Sequence, residues 1–142
     1  MDTKLTYRLQ DNILFLIAEG DYSAKEFLEL LKDALNDPRI PQRFGIIIDA
    51  RHSAICSQLA DLKWIHDELK KWNEQIARIA VVVQSALHFG FTRQYSVYAE
   101  SEGQEINPFY RTEPAIAWIN EKLNIDPEFN NAMHICQATS NI

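Results

Sequence analysis

Two short runs of aliphatic residues limit what this chain can fold into: Phe44-Gly-Ile-Ile-Ile-Asp-Ala50 and Ile79-Ala-Val-Val-Val83. Neither alternates apolar with polar residues, so neither reads as a strand with one face in water. Both are short and rich in Ile and Val, which suits a strand covered on both faces. Between them, Leu59, Leu62, Ile65, Leu69 and Trp72 recur at helical spacing, which predicts a helix from about Ser57 to Trp72. A buried strand, a helix and a second buried strand imply parallel pairing through a right-handed crossover.

The flanking segments extend this unit. Leu5, Tyr7 and Leu9 alternate with Thr6 and Arg8, Asp11-Asn12 is a turn dipeptide, and Ile13 to Ala18 is an apolar run. Together they predict a β-hairpin. Ser23 with Glu26 three residues later is a capping-box pattern, followed by Phe27, Leu30, Leu31, Ala34 and Leu35 at helical spacing. Asn36-Asp37-Pro38 stops that helix. A further helix is expected from Ser85 or Ala86 to about Glu100, with Leu87, Phe91, Tyr95 and Tyr98 as its stripe and Ser101-Glu102-Gly103 as its end. Ile106 to Tyr110 reads as a short strand that Pro108 sends to an edge. Thr112-Glu113-Pro114 opens a last helix through Ile116, Ile119 and Leu123. The expected fold is α/β: a mixed, mainly parallel sheet with an N-terminal β-hairpin and about four helices.

A chain of 142 residues suits one domain and buries enough surface to fold without disulfides or metal. We expect residues 1–124 to form the domain. Residues 125–142 form a tail with scattered apolar residues (Ile125, Phe129, Met133, Ile135), either packed on the body, docked on a partner or disordered. A net charge of −6 argues against nucleic-acid binding, which depends on neutralising phosphates with Lys and Arg. Cys56 and Cys136 are the two cysteines, with no CxxC pair or Cys/His cluster, so no structural metal is expected. The N-terminus lacks the pattern of a signal peptide, and the longest apolar run is too short to span a bilayer. We therefore expect a soluble, cytoplasmic protein with no transmembrane segment.

The order of these segments resembles the SpoIIAA-like proteins of the STAS superfamily. The resemblance rests on the hairpin and helix before Phe44–Ala50, on Arg78-Ile-Ala-Val-Val-Val83 before a glycine-containing aromatic helix, and on Phe109-Tyr-Arg-Thr-Glu-Pro-Ala-Ile-Ala-Trp-Ile119. The last is similar to the family's "FRTxxEALxWL"-type ending. It covers about residues 4 to 123. It implies a non-enzymatic regulatory or interaction domain, and the related CRAL-TRIO-like folds bind apolar ligands. Anti-sigma-factor antagonists of the superfamily carry an Asp-Ser-x-Gly phosphorylation motif after the strand that matches Ile46–Ile48. Here the region reads Asp49-Ala-Arg-His-Ser-Ala-Ile-Cys-Ser-Gln58. Ser53 and Ser57 are present but the motif is not, which argues against a kinase-controlled switch.

In parallel α/β sheets, ligands gather beyond the carboxyl ends of the strands. That rule nominates Asp49, Arg51, His52, Ser53, Ser57, Ser85 and His88 as a ligand or partner rim, with helix N-termini at Ser57 and Ser85 suited to an anion. The same serines also read as ordinary N-caps. No histidine has a companion ligand at metal spacing, with His66 placed on a helix flank. Cys56 sits near a helix start without an identifiable triad. Gly90 inside a helix calls for a close neighbour, whether sheet, helix or ligand. Phe89, Phe91, Tyr95 and Tyr98 exceed one core stripe, so Gly90, Phe91 and Tyr95 join the candidate site. The first expectation is a non-enzymatic module, with a homodimer as one option, that binds an unknown protein and uses no cofactor. The alternative is a carrier or sensor of a small apolar or amphipathic ligand.

Overall fold

The computed structural model of the chain describes residues 4–20, 22–53 and 59–125. The expectations placed on Cys56, Ser57, Cys136 and the tail beyond Ile125 lie outside them. The element order is β1 (Lys4–Gln10), β2 (Ile13–Gly20), α1 (Ala24–Leu35), β3 (Phe44–Ser53), α2 (Leu59–Leu69), a 3-10 turn (Lys70–Trp72), β4 (Ile76–Val82), α3 (Ala86–Ser101), β5 (Ile106–Phe109) and α4 (Thr112–Ile125). The strands form one sheet in the order β1-β2-β3-β4-β5. Among the described residues only the β1–β2 pair is antiparallel.

Local chemistry explains the joints. Asp11 (φ 53) and Asn12 (φ 65) both adopt the left-handed backbone of a two-residue hairpin turn, which Asp and Asn tolerate better than other side chains. The Ser23 hydroxyl accepts from the Glu26 amide at 3.1 Å, and the Glu26 carboxylate accepts from the Ser23 amide at 3.0 Å, completing the capping box of α1. α3 ends on Gly103 (φ 88): the Gly103 amide donates to the Glu100 carbonyl and the Gln104 amide to the Ala99 carbonyl. Those are the two bonds of a Schellman end, and they need a residue comfortable at positive φ.

Because consecutive strands are neighbours and crossovers keep one hand, α1, α2 and α3 fall on one face of the sheet. There Phe27, Leu31, Ile65, Leu69, Tyr95 and Ala99 cover Leu14, Leu16, Ile46, Ile48, Ile79 and Val81. α4 follows the last strand and covers the other face, where Ala115, Ile119 and Leu123 meet Ile13, Phe15, Ile47, Ala80 and Val82. The two-sided burial accounts for the unbroken aliphatic runs. Among the described residues no helix is long and apolar enough to cross a membrane.

Two expectations are corrected here. Gly90 makes no close approach: it is exposed, and a Cβ built on it meets nothing within 4 Å. The crowded glycine is Gly45, where a Cβ would stand 2.2 Å from Cγ2 of the fully buried Ile119. The stripe assigned to α3 is also rotated. Its buried side chains are Thr92, Tyr95 and Ala99, while Leu87 and Tyr98 are exposed.

Opposite outcomes are therefore expected for two substitutions measured by urea unfolding. Gly45→Ala should destabilise by about 2 kcal/mol through overpacking. Gly90→Ala should stabilise by up to about 1 kcal/mol through helix propensity. A stable Gly45→Ala variant would show that α4 does not sit directly on β3.

Candidate functional site

The carboxyl ends of the parallel strands form the rim that the sequence nominates, and the structure divides its residues between two faces. β3 runs through Ser53, so Arg51, His52 and Ser53 lie on a strand and not in a loop. Gly45 and Ile47 face α4. Alternation along the strand carries Asp49 to that same side. Arg51 forks onto it, with Nε 3.0 Å and Nη2 2.8 Å from the two carboxylate oxygens. Glu113, in the first turn of α4, adds its charge to the field at Arg51. Burial alone would raise the Asp49 carboxyl, but the Arg51 hydrogen bonds and the charges of Arg51 and His52 outweigh it and hold the group below its usual range. His52 is exposed.

The remaining candidates belong to α3, on the opposite face. Ser85 is an N-cap whose hydroxyl accepts from the His88 amide at 3.1 Å. His88 and Phe91 are half-buried, Gly90 is exposed, and Tyr95 is buried in the core. Asp49 and Arg51 therefore do not converge with Ser85, His88 or Tyr95 in one pocket. What gathers on the α3 side of the rim is apolar. Phe89 stacks on Tyr110 at 4.7 Å between ring centroids with 13° between planes, and Leu87, in the same first turn of α3, is exposed.

Two polar groups escaped the sequence reading. His66 is not on an open flank but fully buried, with Nδ1 2.7 Å from Gln104 Oε1. Gln104 Nε2 donates to Asn73 Oδ1 at 2.6 Å, and Asn73 Nδ2 donates to the Glu102 carbonyl at 3.3 Å. With the amide so oriented, Gln104 Oε1 is left to accept from the His66 Nδ1–H. His66 Nε2 and Tyr95 Oη are buried with no hydrogen-bond partner among the described residues. The rings of Tyr95 and Tyr98 pack edge-on against this imidazole at 5.6 and 5.5 Å. The other group is Arg78, stacked 4.6 Å over Trp118, donating to the Trp118 carbonyl at 2.7 Å and paired with Glu105. Around it lies a cavity of about 220 Å³ lined by Arg78, Ser96, Glu100, Glu105, Asn107 and Trp118. Both groups join residues 27 to 40 positions apart, so no local spacing could have announced them. No cluster of three or more His, Cys, Asp or Glu side chains able to hold a metal occurs among the described residues.

A hairpin leading into a parallel sheet, with three helices on one face and a closing helix on the other, is the SpoIIAA-like fold that the sequence resembles. No protein-family model matches the chain, and no curated protein matches it. Among solved structures, an uncharacterised protein of the DUF3478 family from Shewanella loihica PV-4, with a SpoIIAA-like fold, matches at a TM-score of 0.56. The identity is 17%, over 82% of this chain and 93% of that one. At that identity the likeness shows the fold and no activity.

The Asp49–Arg51 fork sets a pH dependence. The folded carboxyl is held below its unfolded value of about 4, so its contribution is present above that pH and is lost as pH falls through the folded value. Asp49→Asn should cost about 1 kcal/mol at neutral pH, given the partial exposure of the pair. The gap between variant and parent should start to narrow near pH 4 and close only below the lower folded value. An unchanged gap between urea midpoints at neutral and acidic pH would remove the ion pair as its source.

Proposed function

We propose that this chain is a non-enzymatic STAS-type module that binds another protein through the α3 side of its carboxyl rim. The observation that carries this reading is the Phe89–Tyr110 stack at the carboxyl rim, with Leu87 exposed in the same first turn of α3. Leu87 is 65% exposed and Tyr110 49% exposed. The Phe89–Tyr110 stack holds the aromatic surface rigid before anything binds. Aromatic anchors are enriched at protein interfaces, and ordering them in advance lowers the entropic cost of association. The position agrees with the rule that α/β sheets engage ligands beyond the carboxyl ends of their strands. Asp49 and Arg51 stand across the sheet edge and supply a polar border, and His52, Ser53, Ser85 and His88 complete the same end of the molecule. The cavity around Arg78 has charged walls, which suits an apolar cargo poorly.

A photo-crosslinking residue placed at Leu87 or Tyr110, compared with one at the exposed Lys32 of α1, tests the reading in cells. The expected result is one shared adduct of defined mass from both rim positions and none from position 32. Tyr110→Ala should weaken the captured pair by roughly tenfold or more, the mark of an aromatic anchor. Adducts at all three positions, or at none, would defeat the proposal. A small apolar molecule released from the intact protein in a native mass spectrum would instead favour a carrier.

A further inference from the structure

α3 carries a second exposed surface beyond the rim at its first turn. Leu87, Gly90, Gln94, Val97 and Ser101 recur at alternating spacings of three and four residues, and every one of them is exposed. That spacing draws a single seam along a helix. It lies away from Thr92 and Ala99, which the helix buries in its own core. Val97 is 69% exposed, and Tyr98, flanking the seam, is 43% exposed. Three of the five large apolar side chains exposed among the described residues (Leu87, Val97 and Tyr98) therefore sit on this one helix.

Gly90 leaves bare backbone on the seam. Glycine inside a helix is about 1 kcal/mol worse than alanine. Nothing in the fold repays that cost, since a Cβ at position 90 meets nothing within 4 Å. Bare backbone on an exposed helix permits a second helix to approach closely. We propose that this seam is a self-association face, on which a second copy of the chain lays its own α3 antiparallel across a two-fold axis.

Charge selects both the occupant and the direction. Arg93 and Glu100 are the charged residues of α3, and both are exposed along one side of the seam, where Arg93 also reaches Asn107 Oδ1 at 3.4 Å and Glu100 borders the Arg78 cavity. Seven residues, or about 10 Å, separate them along the axis, too far to pair within one chain. A parallel pair in register would set Arg93 against Arg93 and Glu100 against Glu100. An antiparallel pair sets Arg93 of each copy beside Glu100 of the other, twice, as a two-fold contact requires. The axis then crosses α3 between Gln94 and Val97 and brings Gly90 under the second copy's Tyr98-to-Ser101 turn. The helix of 16 residues is about 24 Å long. The contact is thus at the small end of specific interfaces, and the dimer is weak and concentration-dependent.

Sedimentation velocity from low micromolar to millimolar protein tests this. The expected mass rises from monomer toward dimer with concentration. Gly90→Gln and Arg93→Glu should each raise the dissociation constant roughly tenfold, or ~1.4 kcal/mol. Circular dichroism should show both variants folded. Arg93→Glu combined with Glu100→Arg should restore dimerisation, which no role within one chain predicts. A protein monomeric throughout would overturn the inference. So would a dimer that neither variant weakens, or one that the charge exchange fails to restore. Leu87 belongs to both surfaces, but Tyr110 lies off the seam, so a crosslink at Tyr110 to a different protein judges the rim proposal separately from self-association.

Discussion

Everything in this fold depends on covering both faces of a sheet whose central strands have no wet side. β3 and β4 carry Ile46, Ile48, Ile79 and Val81 toward three helices, and Ile47, Ala80 and Val82 toward one. A buried aliphatic side chain is worth about 1.5–3 kcal/mol, so the single helix α4 is as necessary as the three opposite it. Gly45 makes that possible. Its missing side chain lets Ile119 settle against β3 at a distance that no Cβ would allow. The α4 side is therefore tight and thin, while the α3 side is thick and carries the exposed aromatic surface.

That asymmetry separates two kinds of polar interaction. At the carboxyl end, Asp49 and Arg51 pair in partial contact with water, where charge is cheap to hold. Beneath α2 and α3, at the other end of the strands, His66, Gln104 and Asn73 pass hydrogen bonds inward from the Glu102 carbonyl. That chain leaves a ring nitrogen and the Tyr95 hydroxyl without partners among the described residues. A buried polar atom left unpaired costs about 1–3 kcal/mol. The tight packing of Tyr95 and Tyr98 around the imidazole offsets part of it.

Function, on this reading, resides in what the helices leave uncovered. An ordinary helix in such a layer hides its apolar stripe. α3 hides Thr92, Tyr95 and Ala99 and shows Leu87, Val97 and Tyr98 to the solvent. Phe89 and Tyr110 meet from different elements to form a flat aromatic step at the rim. Neither surface holds the converging ionisable groups of a catalytic centre. Both have the features of contact surfaces: rigid rings, small residues and a light border of charge.

The sequence alone determined the strands, the helices and their order, because burial pattern, capping residues and turn chemistry are local. Asp11-Asn12, the Ser23–Glu26 box, Gly103 and the aliphatic runs each announce their geometry within a few residues. It also located the carboxyl ends of the parallel strands, since connectivity decides where they finish. Only the tertiary structure decided which face each residue looks onto. A helix stripe two positions wide can rotate by one residue type without changing its pattern, so Leu87 and Tyr98 read as core and Thr92 did not. A lone glycine gives no sign of what stands opposite it, so Gly90 took the role that belongs to Gly45. Partners such as His66 and Gln104, 38 residues apart, are brought together by packing, and no local rule of sequence foretells that meeting.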